Sequence, residues 1–219
     1  MKKYEFTGEV KTYLGKTLHR IKSVVSFGIV VKGEIGGWIE SEKNLSQDGN
    51  AWVYGNARVS GNAWVYGNAR VSGNAEVSGN ARVSGNAWVY GDARVSGNAE
   101  VSGNADVSGN AEVYGNARVS GNAWVYGDAW VSGDAWVYGD AWVYGNAHFM
   151  VIGAIGSRFD FTTFFRNKEN GISVKCGCFY GTIAEFRAKV TETHGTDTKF
   201  AKVYQAAADL AEMQIELKK

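Results

Sequence analysis

The chain has 219 residues, with 23 Lys and Arg against 22 Asp and Glu, no proline and two cysteines. The formal net charge of +1 provides no bulk attraction for nucleic acid or for an acidic membrane surface, and two cysteines do not form a secreted disulfide scaffold. Without an apolar run long enough to span a bilayer and without a signal-peptide core near the N-terminus, we expect a cytoplasmic protein with no membrane or nucleic-acid partner.

Residues 1–48 are predicted to form an N-terminal β cap and an irregular first coil. Residues 4–6, 18–25 and 29–31 have the composition of short strands separated by glycines. Ile39 and Leu45 lie six residues apart, which begins the spacing that follows, and two extra residues, Gln47 and Asp48, precede the regular array. We expect this segment to cover one open end of the structure behind it.

Residues 49–150 contain seventeen consecutive copies of the six-residue unit Gly-(Asn/Asp)-Ala-x-Val-x, with Phe in place of Val in the last. The β-branched Val suits a strand and points inward, while its two neighbours point outward. Gly followed by Asn or Asp suits a bend with positive φ, and Ala fits inside the corner. Three strands and three corners close a triangular coil of eighteen residues, and successive coils stack about 4.8 Å apart.

An eighteen-residue coil places outward-facing residues in three columns. Opposite charges one strand apart are favourable, and the charged positions alternate in sign only at this coil length. The corner residues Asp92, Asp128, Asp134 and Asp140 likewise have only Asn as column neighbours. The columns are Arg58, Glu76, Arg94, Glu112, Trp130 and His148; Trp64, Arg82, Glu100, Arg118 and Trp136; and Trp52, Arg70, Trp88, Asp106, Trp124 and Trp142.

Residues 151–219 are predicted to form a small α+β domain of ββαα order. Residues 159–165 and 172–178 indicate a hairpin that turns near residues 168–171. A helix is predicted from Thr182 to about Thr193, and a second helix, capped by Thr196 or Asp197, to about Leu217. We expect this domain to pack on the last coils, whose outward residues are mostly aromatic.

The repeat resembles the hexapeptide-repeat proteins, in which an aliphatic residue is followed four positions later by a small one, as in Val53…Ala57 and Val59…Ala63. This resemblance implies a mainly β fold, a triangular left-handed parallel β-helix; a right-handed solenoid of the bactofilin type is the alternative. The whole layout is similar to bacterial and phage-borne Gly-Asn-Ala-x-Val repeat proteins. The motifs that carry this similarity are Gly36-Gly37-Trp38-Ile39-Glu40, Asn44-Leu45-Ser46, residues 162–165, residues 174–178 and Thr193-His194-Gly195.

Catalytic and metal sites receive little support from the sequence. Many hexapeptide-repeat proteins are acyltransferases with an essential His, and others are γ-class carbonic anhydrases, which need three His around zinc. This chain has only His19, His148 and His194, so an acyltransferase would need His148 or His194 to act across a subunit boundary. Cys176 and Cys178 follow the period of a strand and are interpreted as buried thiols, so no metal and no cofactor are predicted.

Exposed aromatic residues are the most informative surface feature of the sequence. The predicted binding face consists of Trp52, Tyr54, Arg70, Trp88, Tyr90, Trp124, Tyr126, Trp142 and Tyr144, in which Arg70 could form cation–π contacts with the indoles beside it. Three occupants remain open: a further copy of the chain in a dimer or trimer, a foreign protein, and a stacked sugar or nucleobase.

The function expected from these features is that of a non-enzymatic protein-binding scaffold. The resemblance to phage-borne proteins implies a bacterial host cell and an accessory protein that inhibits a host defence component by occlusion, as an anti-CRISPR-like inhibitor or a sponge. The alternatives are an acyltransferase-like enzyme and a self-assembling structural protein.

Overall fold

The structure, a computed structural model, describes residues 2–217, and its central part is a three-sided parallel β-solenoid. Each side is a parallel sheet whose neighbouring strands lie eighteen residues apart, as the pair Arg58–Glu76 on one side and the pair Trp64–Arg82 on another illustrate. The predicted eighteen-residue coil is therefore confirmed, and so are the predicted columns of outward residues except at His148, which lies outside the three sheets. The left-handed sense of the coil stays a prediction from the resemblance.

The secondary-structure elements follow in chain order. They are β1 (Tyr4–Tyr13), β2 (Lys16–Ser23), β3 (Ile35–Ile39), β4 (Trp52–Val53), β5 (Arg58–Val59), β6 (Trp64–Val65), β7 (Arg70–Val71), β8 (Glu76–Val77), β9 (Arg82–Val83), β10 (Trp88–Val89), β11 (Arg94–Val95), β12 (Glu100–Val101), β13 (Asp106–Val107), β14 (Glu112–Val113), β15 (Arg118–Val119), β16 (Trp124–Val125), β17 (Trp130–Val131), β18 (Trp136–Val137), β19 (Trp142–Val143), β20 (Phe149–Ile155), β21 (Asp160–Arg166), β22 (Ile172–Cys176), β23 (Phe179–Thr182), α1 (Ile183–His194) and α2 (Lys199–Gln214). Single 3₁₀ turns lie at Glu42–Asn44 and Asn146–His148.

Only one of the three sides of the solenoid continues into the N-terminal strands within the described residues. The first side continues the N-terminal strands in the order β1-β2-β3-β5-β8-β11-β14-β17, so the cap belongs to the same sheet. The second side contains β6, β9, β12, β15 and β18, and the third side contains β4, β7, β10, β13, β16 and β19. Ile39 pairs with Val59 and Leu45 with Val65, twenty residues away, so the two extra residues lie where the sequence indicated.

The solenoid interior is a continuous column of Val and Ala. From Val53 to Val143 every repeat Val is fully buried, and every repeat Ala from Ala51 to Ala141 is at most 2% exposed. Three Val and three Ala at fixed places in each coil fill the same volume in every layer, whereas the positions that vary between units point outward or lie at the Asn/Asp corner.

The corner glycines are required by both conformation and space. Gly85 has a φ of +66°, and a Cβ atom built on it would lie 2.8 Å from the backbone N and O of Gly103 in the next coil. Positive φ disfavours any side chain, and the stacked corner below leaves no room for one.

The corner amides form hydrogen-bonded columns that run in one direction. Asn86 Nδ2 donates to Asn104 Oδ1 at 2.9 Å, and the same bond recurs between coils. An Asp carboxylate can accept this bond, but it has no N–H group to donate to the next coil. Accordingly the last corner carboxylates accept from the preceding coil at 3.0–3.2 Å, in the pairs Asn110–Asp128, Asn116–Asp134 and Asn122–Asp140. The predicted pairing of each corner Asp with Asn is confirmed.

The backbone ladder also has a direction, and this makes the two ends of the solenoid chemically different. In each unit the N–H groups of the corner Asn or Asp and of the two outward residues donate to the carbonyl seventeen residues later, as in Trp52 N to Ala69 O at 3.0 Å. The Ala N–H instead bonds within its own coil, as in Ala63 N to Ser60 O at 3.4 Å. The first coil is therefore left with unpaired carbonyl groups and the last coil with unpaired N–H groups. Buried peptide groups of this kind need partners, because each unmet hydrogen bond costs about 1–3 kcal/mol.

At the N-terminal end the missing partners are side-chain donors. Lys3 Nζ donates to Ala51 O at 2.9 Å, and Asn44 Nδ2 donates to Ala63 O at 2.9 Å. Lys3 is 4% exposed, and its burial lowers the pKa of the ammonium group to about 8. The predicted cap therefore works through specific donors as well as by covering the Val column.

At the C-terminal end the missing partners are side-chain acceptors. Asn146 and His148 belong to the last repeat unit, and Thr163 and Tyr180 belong to the C-terminal domain. The bonds run from Trp130 N to Asn146 Oδ1 at 2.8 Å, Trp136 N to Thr163 Oγ1 at 3.0 Å, Asp140 N to Tyr180 Oη at 3.3 Å and Tyr144 N to His148 Nδ1 at 3.3 Å.

The C-terminal domain is a four-stranded antiparallel sheet, β20-β21-β22-β23, with both helices packed on it. The predicted hairpin is β21 and β22, and the prediction missed β20 and β23. Helix α1 has Thr182 as its N-cap, and α2 is capped by Thr198, two residues later than Thr196. Within residues 2–217 neither helix combines the length and hydropathy needed to cross a bilayer.

Gly85→Ala and Gly133→Ala distinguish the two reasons for glycine at a corner, which are the positive φ and the close approach of the next coil. Gly133 has a φ of +67° but nothing within 4 Å of its added Cβ, so its substitution should cost about 1–2 kcal/mol of unfolding free energy from backbone strain alone. Gly85→Ala adds the clash with Gly103 and should cost at least about 1 kcal/mol more. Urea unfolding followed by circular dichroism measures both, and equal losses would contradict the stacked-corner explanation.

The buried Lys3 ammonium should be visible in the pH dependence of stability. Between its pKa of about 8 in the folded chain and the ordinary 10.5 in the unfolded chain, the unfolded chain binds more protons. The free energy of unfolding should therefore rise from pH 8 to about 9.5, by no more than about 1.4 kcal/mol per pH unit. Lys3→Met should lack this rise, whereas an identical slope in both proteins would exclude Lys3 as its source.

Candidate functional site

The predicted binding face lies on the third side of the solenoid, and the structure divides it into parts with different environments. The register places Trp52, Arg70, Trp88, Asp106 and Trp124 in one column, as expected. Their exposure, however, changes along the column because the two caps cover its ends.

The prediction that Trp52 is exposed is wrong. Its side chain is fully buried, with ring centroids 6.1 Å from Tyr4 and 5.5 Å from Phe27. The N-terminal segment folds over the first coil and uses this indole as core. Tyr54 beside it is partly buried, and that burial raises the pKa of its phenol.

Trp88 and Tyr90 form the exposed middle of the face. Trp88 is 39% exposed, its ring centroid lies 4.5 Å from that of Tyr90, and its Nε1 donates to Ser72 Oγ at 2.9 Å. The expected cation–π contact of Arg70 is absent from residues 2–217, where its guanidinium lies over neither indole.

Trp124, Tyr126, Trp142 and Tyr144 form one continuous cluster, which we name the C-terminal aromatic face. Trp124 is 51% exposed, and its ring centroid lies 6.2 Å from that of Trp142, edge to face. The rings of Tyr126 and Tyr144 are 5.4 Å apart. Behind them lies Arg166, which is 1% exposed and has its guanidinium carbon 4.7 Å from the Tyr144 ring centroid.

A cleft of about 410 Å³ opens beside Trp124 and Trp142. Its far wall is the ion pair between Lys168 Nζ and Asp140 Oδ2 at 3.2 Å. Hydrogen bonds from Asn122 and Lys168 hold the pKa of the Asp140 carboxyl below its ordinary value. The volume is in the range of sites that hold an inserted side chain or small ligand, roughly 300–1,000 Å³.

Sequence reasoning missed Lys168 and Arg166. Both come from the C-terminal domain, so no period relates them to the repeat. The only signal available was the expectation that this domain covers the last coils.

Exposed indoles also occur on the other two sides. Trp64 is 42% exposed on the second side, and Trp130 is 51% exposed on the first. Exposure alone therefore does not distinguish the third side. The third side is distinguished by the cluster of four aromatic rings beside a cleft.

His148 is a capping residue of the solenoid end. Its side chain is 3% exposed, and it lies in the 3₁₀ turn after the last coil, so the first-side column ends at Trp130 and the prediction that it continues to His148 is wrong. Nδ1 accepts the Tyr144 N–H, and Nε2 lies 3.4 Å from an Arg166 nitrogen.

A cavity of about 520 Å³ lies in the C-terminal domain and is lined by Cys176, Cys178, His194 and Tyr204 among others. Cys178 is exposed in the turn after Gly177, so the prediction that both thiols are buried on one strand is wrong. Cys176 accepts a hydrogen bond from Thr162 Oγ1 at 3.2 Å, and the His194 ring stacks on Tyr204 at 5.8 Å.

The arrangement in this cavity is not that of a nucleophile and its base. No hydrogen bond joins Cys176 to His194 in the described part of the chain, and residues 2–217 contain no group of three or more His, Cys, Asp or Glu placed to hold a metal ion. A thiol needs a neighbouring base or a positive partner to act as a nucleophile at neutral pH.

Comparison with known families supports the architecture. A family model described as the YdcK beta solenoid repeat matches residues 51–67, 63–77, 75–91 and 111–127, all within the solenoid. The chain is thus a repeat β-helix protein similar to that family over these segments. A comparison with curated proteins gave no significant match.

Proposed function

We propose that this chain is a non-enzymatic protein-binding scaffold that docks a partner on the C-terminal aromatic face. The observation that carries the proposal is the half-exposed indole of Trp124 beside the cleft of about 410 Å³. Trp and Tyr dominate the binding energy of protein interfaces, most strongly where a ring adjoins a pocket that a partner side chain can fill.

The rigidity of the scaffold supports this function. Trp124 and Trp142 stand on adjacent strands of one ladder, and the cleft wall is tied to the same coil by the Asp140–Lys168 ion pair. Binding to a surface that is already ordered loses little conformational entropy, so more of the contact energy remains as affinity.

The partner we propose is a host protein. The resemblance to phage-borne repeat proteins extends the proposal to an accessory protein that occludes a defence component of its bacterial host, as an inhibitor or a sponge. A further copy of the chain in a dimer or trimer is the competing occupant, and the experiment below distinguishes them.

Site-specific photo-crosslinking in host cells tests the docking surface. A photoreactive residue replaces Tyr126 in one variant and Tyr66 in a matched control variant. Like Tyr126, Tyr66 lies two residues after an exposed tryptophan, but it is on the second side of the solenoid. We expect one defined cross-linked protein from position 126 and none from position 66. The product is then identified and purified, and its affinity is measured for Trp124→Ala and Trp64→Ala.

Loss of a hot-spot tryptophan costs about 2 kcal/mol or more, so Trp124→Ala should weaken binding at least about thirtyfold while Trp64→Ala leaves it unchanged. Equal cross-linking from both positions, or equal affinity of both variants, would contradict the proposal. Cross-linking to a second copy, with a solution mass that falls in Trp124→Ala, would assign the face to self-association instead.

A further inference from the structure

A second cleft, of about 390 Å³, lies nearer the N-terminal end of the third side. The indole of Trp88 lies two strands from Trp124 and forms part of its lining. The corner amides of Asn50, Asn68 and Asn86 and the loop at Ile29 also line it. The cleft is therefore distinct from the one beside the C-terminal aromatic face.

Two charged groups flank the indole in this cleft. Trp88 has Arg70 as its neighbour on one adjacent strand and Asp106 on the other. The backbones of Arg70 and Asp106 are therefore about 9.6 Å apart at strand spacing. Within residues 2–217 the Arg70 side chain has no carboxylate partner, and the Asp106 carboxylate has neither a cationic nor a hydrogen-bonding partner. Burial raises the pKa of Asp106.

This separation of charge departs from the rest of the solenoid. On the first side opposite charges occupy neighbouring strands and pair, with Arg58 and Glu76 only 2.6 Å apart. On the third side an exposed tryptophan stands between the two charges. A ligand that spans the Trp88 indole can therefore reach both the Arg70 guanidinium and the partly buried Asp106 carboxylate.

The amide wall supplies further hydrogen-bonding groups at regular spacing. Asn50 Nδ2 donates to Asn68 Oδ1, and Asn68 Nδ2 donates to Asn86 Oδ1, each at 3.0 Å. Each of these bonds uses one amide hydrogen, so a second hydrogen and a free lone pair remain on each exposed side chain. Alternating donors and acceptors suit a ligand that carries several hydroxyl groups.

We propose that this cleft binds an acidic saccharide. The apolar face of a pyranose ring lies on the Trp88 indole, the sugar carboxylate pairs with Arg70, and hydroxyl groups bond to Asp106 and to the corner amides. A neutral sugar would leave the guanidinium unpaired, and an apolar ligand would leave both charges unpaired. The indole is held in place by its bond to Ser72 and by the Tyr90 ring, so the platform is ordered before the ligand arrives.

Isothermal titration calorimetry on the full chain tests the proposal. The acidic probes are trigalacturonate, a tetrasaccharide of glucuronic acid and N-acetylglucosamine, and sialyllactose. Their neutral counterparts are galactotriose and lactose. We expect binding of at least one acidic probe that weakens with added salt, and weaker or no binding of the neutral sugars.

Matched variants locate the binding. Arg70→Gln and Trp88→Ala should each weaken binding by about tenfold or more, because each removes a contact worth at least about 1.4 kcal/mol. Arg82→Gln and Trp64→Ala are the controls, since Trp64 is 42% exposed and stacks on Tyr66 as Trp88 does on Tyr90. Circular dichroism checks that every variant keeps its fold.

The proposal is overturned if none of the acidic probes binds, if the neutral sugars bind as tightly, or if Arg70→Gln binds like the wild type. It does not rest on the protein-docking function. Its failure would leave the Trp124 experiment unaffected, and failure of docking would leave this cleft unaffected.

Discussion

The direction of the backbone ladder is the constraint on which the rest of the structure depends. Because the N–H groups of the corner Asn or Asp and of the outward residues donate to the following coil, carbonyl groups are left at one end and N–H groups at the other. The chain meets this asymmetry with Lys3 and Asn44 as donors at the first end and with Thr163, Tyr180 and other acceptors at the second. Solenoids need such caps because an open end exposes both the ladder and the apolar interior.

Capping and recognition are linked at the C-terminal end. The domain that supplies acceptors to the last coil also supplies Lys168, which closes the cleft beside Trp124, and Arg166, which supports the aromatic cluster from behind. The proposed docking surface is therefore built by two parts of the chain, a repeat that displays the rings and a cap that shapes the space next to them. The cleft proposed to bind a saccharide is likewise formed by two parts of the chain, since the loop at Ile29 contributes to its lining beside the repeat residues.

The sequence predicted what depends on the period and missed what depends on the caps. The coil length, the Arg58–Glu76 pairing and the Asn–Asp corners follow from a repeat in which each residue meets the one eighteen positions away. Trp52 obeys that register, yet it is buried by Tyr4 and Phe27, which no period relates to it. Of the nine residues proposed as a binding face, the structure leaves Trp88 and Trp124 substantially exposed and adds Lys168 beside them.

Hydrogen exchange at the C-terminal end tests the central claim that side chains complete the ladder. Thr163→Val and Tyr180→Phe remove the acceptors of the Trp136 and Asp140 amides, and Thr163→Ser, which keeps a hydroxyl, serves as the control. Because solenoid coils contact only their neighbours, we predict faster exchange of the amides in residues 133–144 of the double variant and unchanged exchange near Trp88. Unchanged exchange in the last coil, or equal loss of protection along the whole solenoid, would contradict the account.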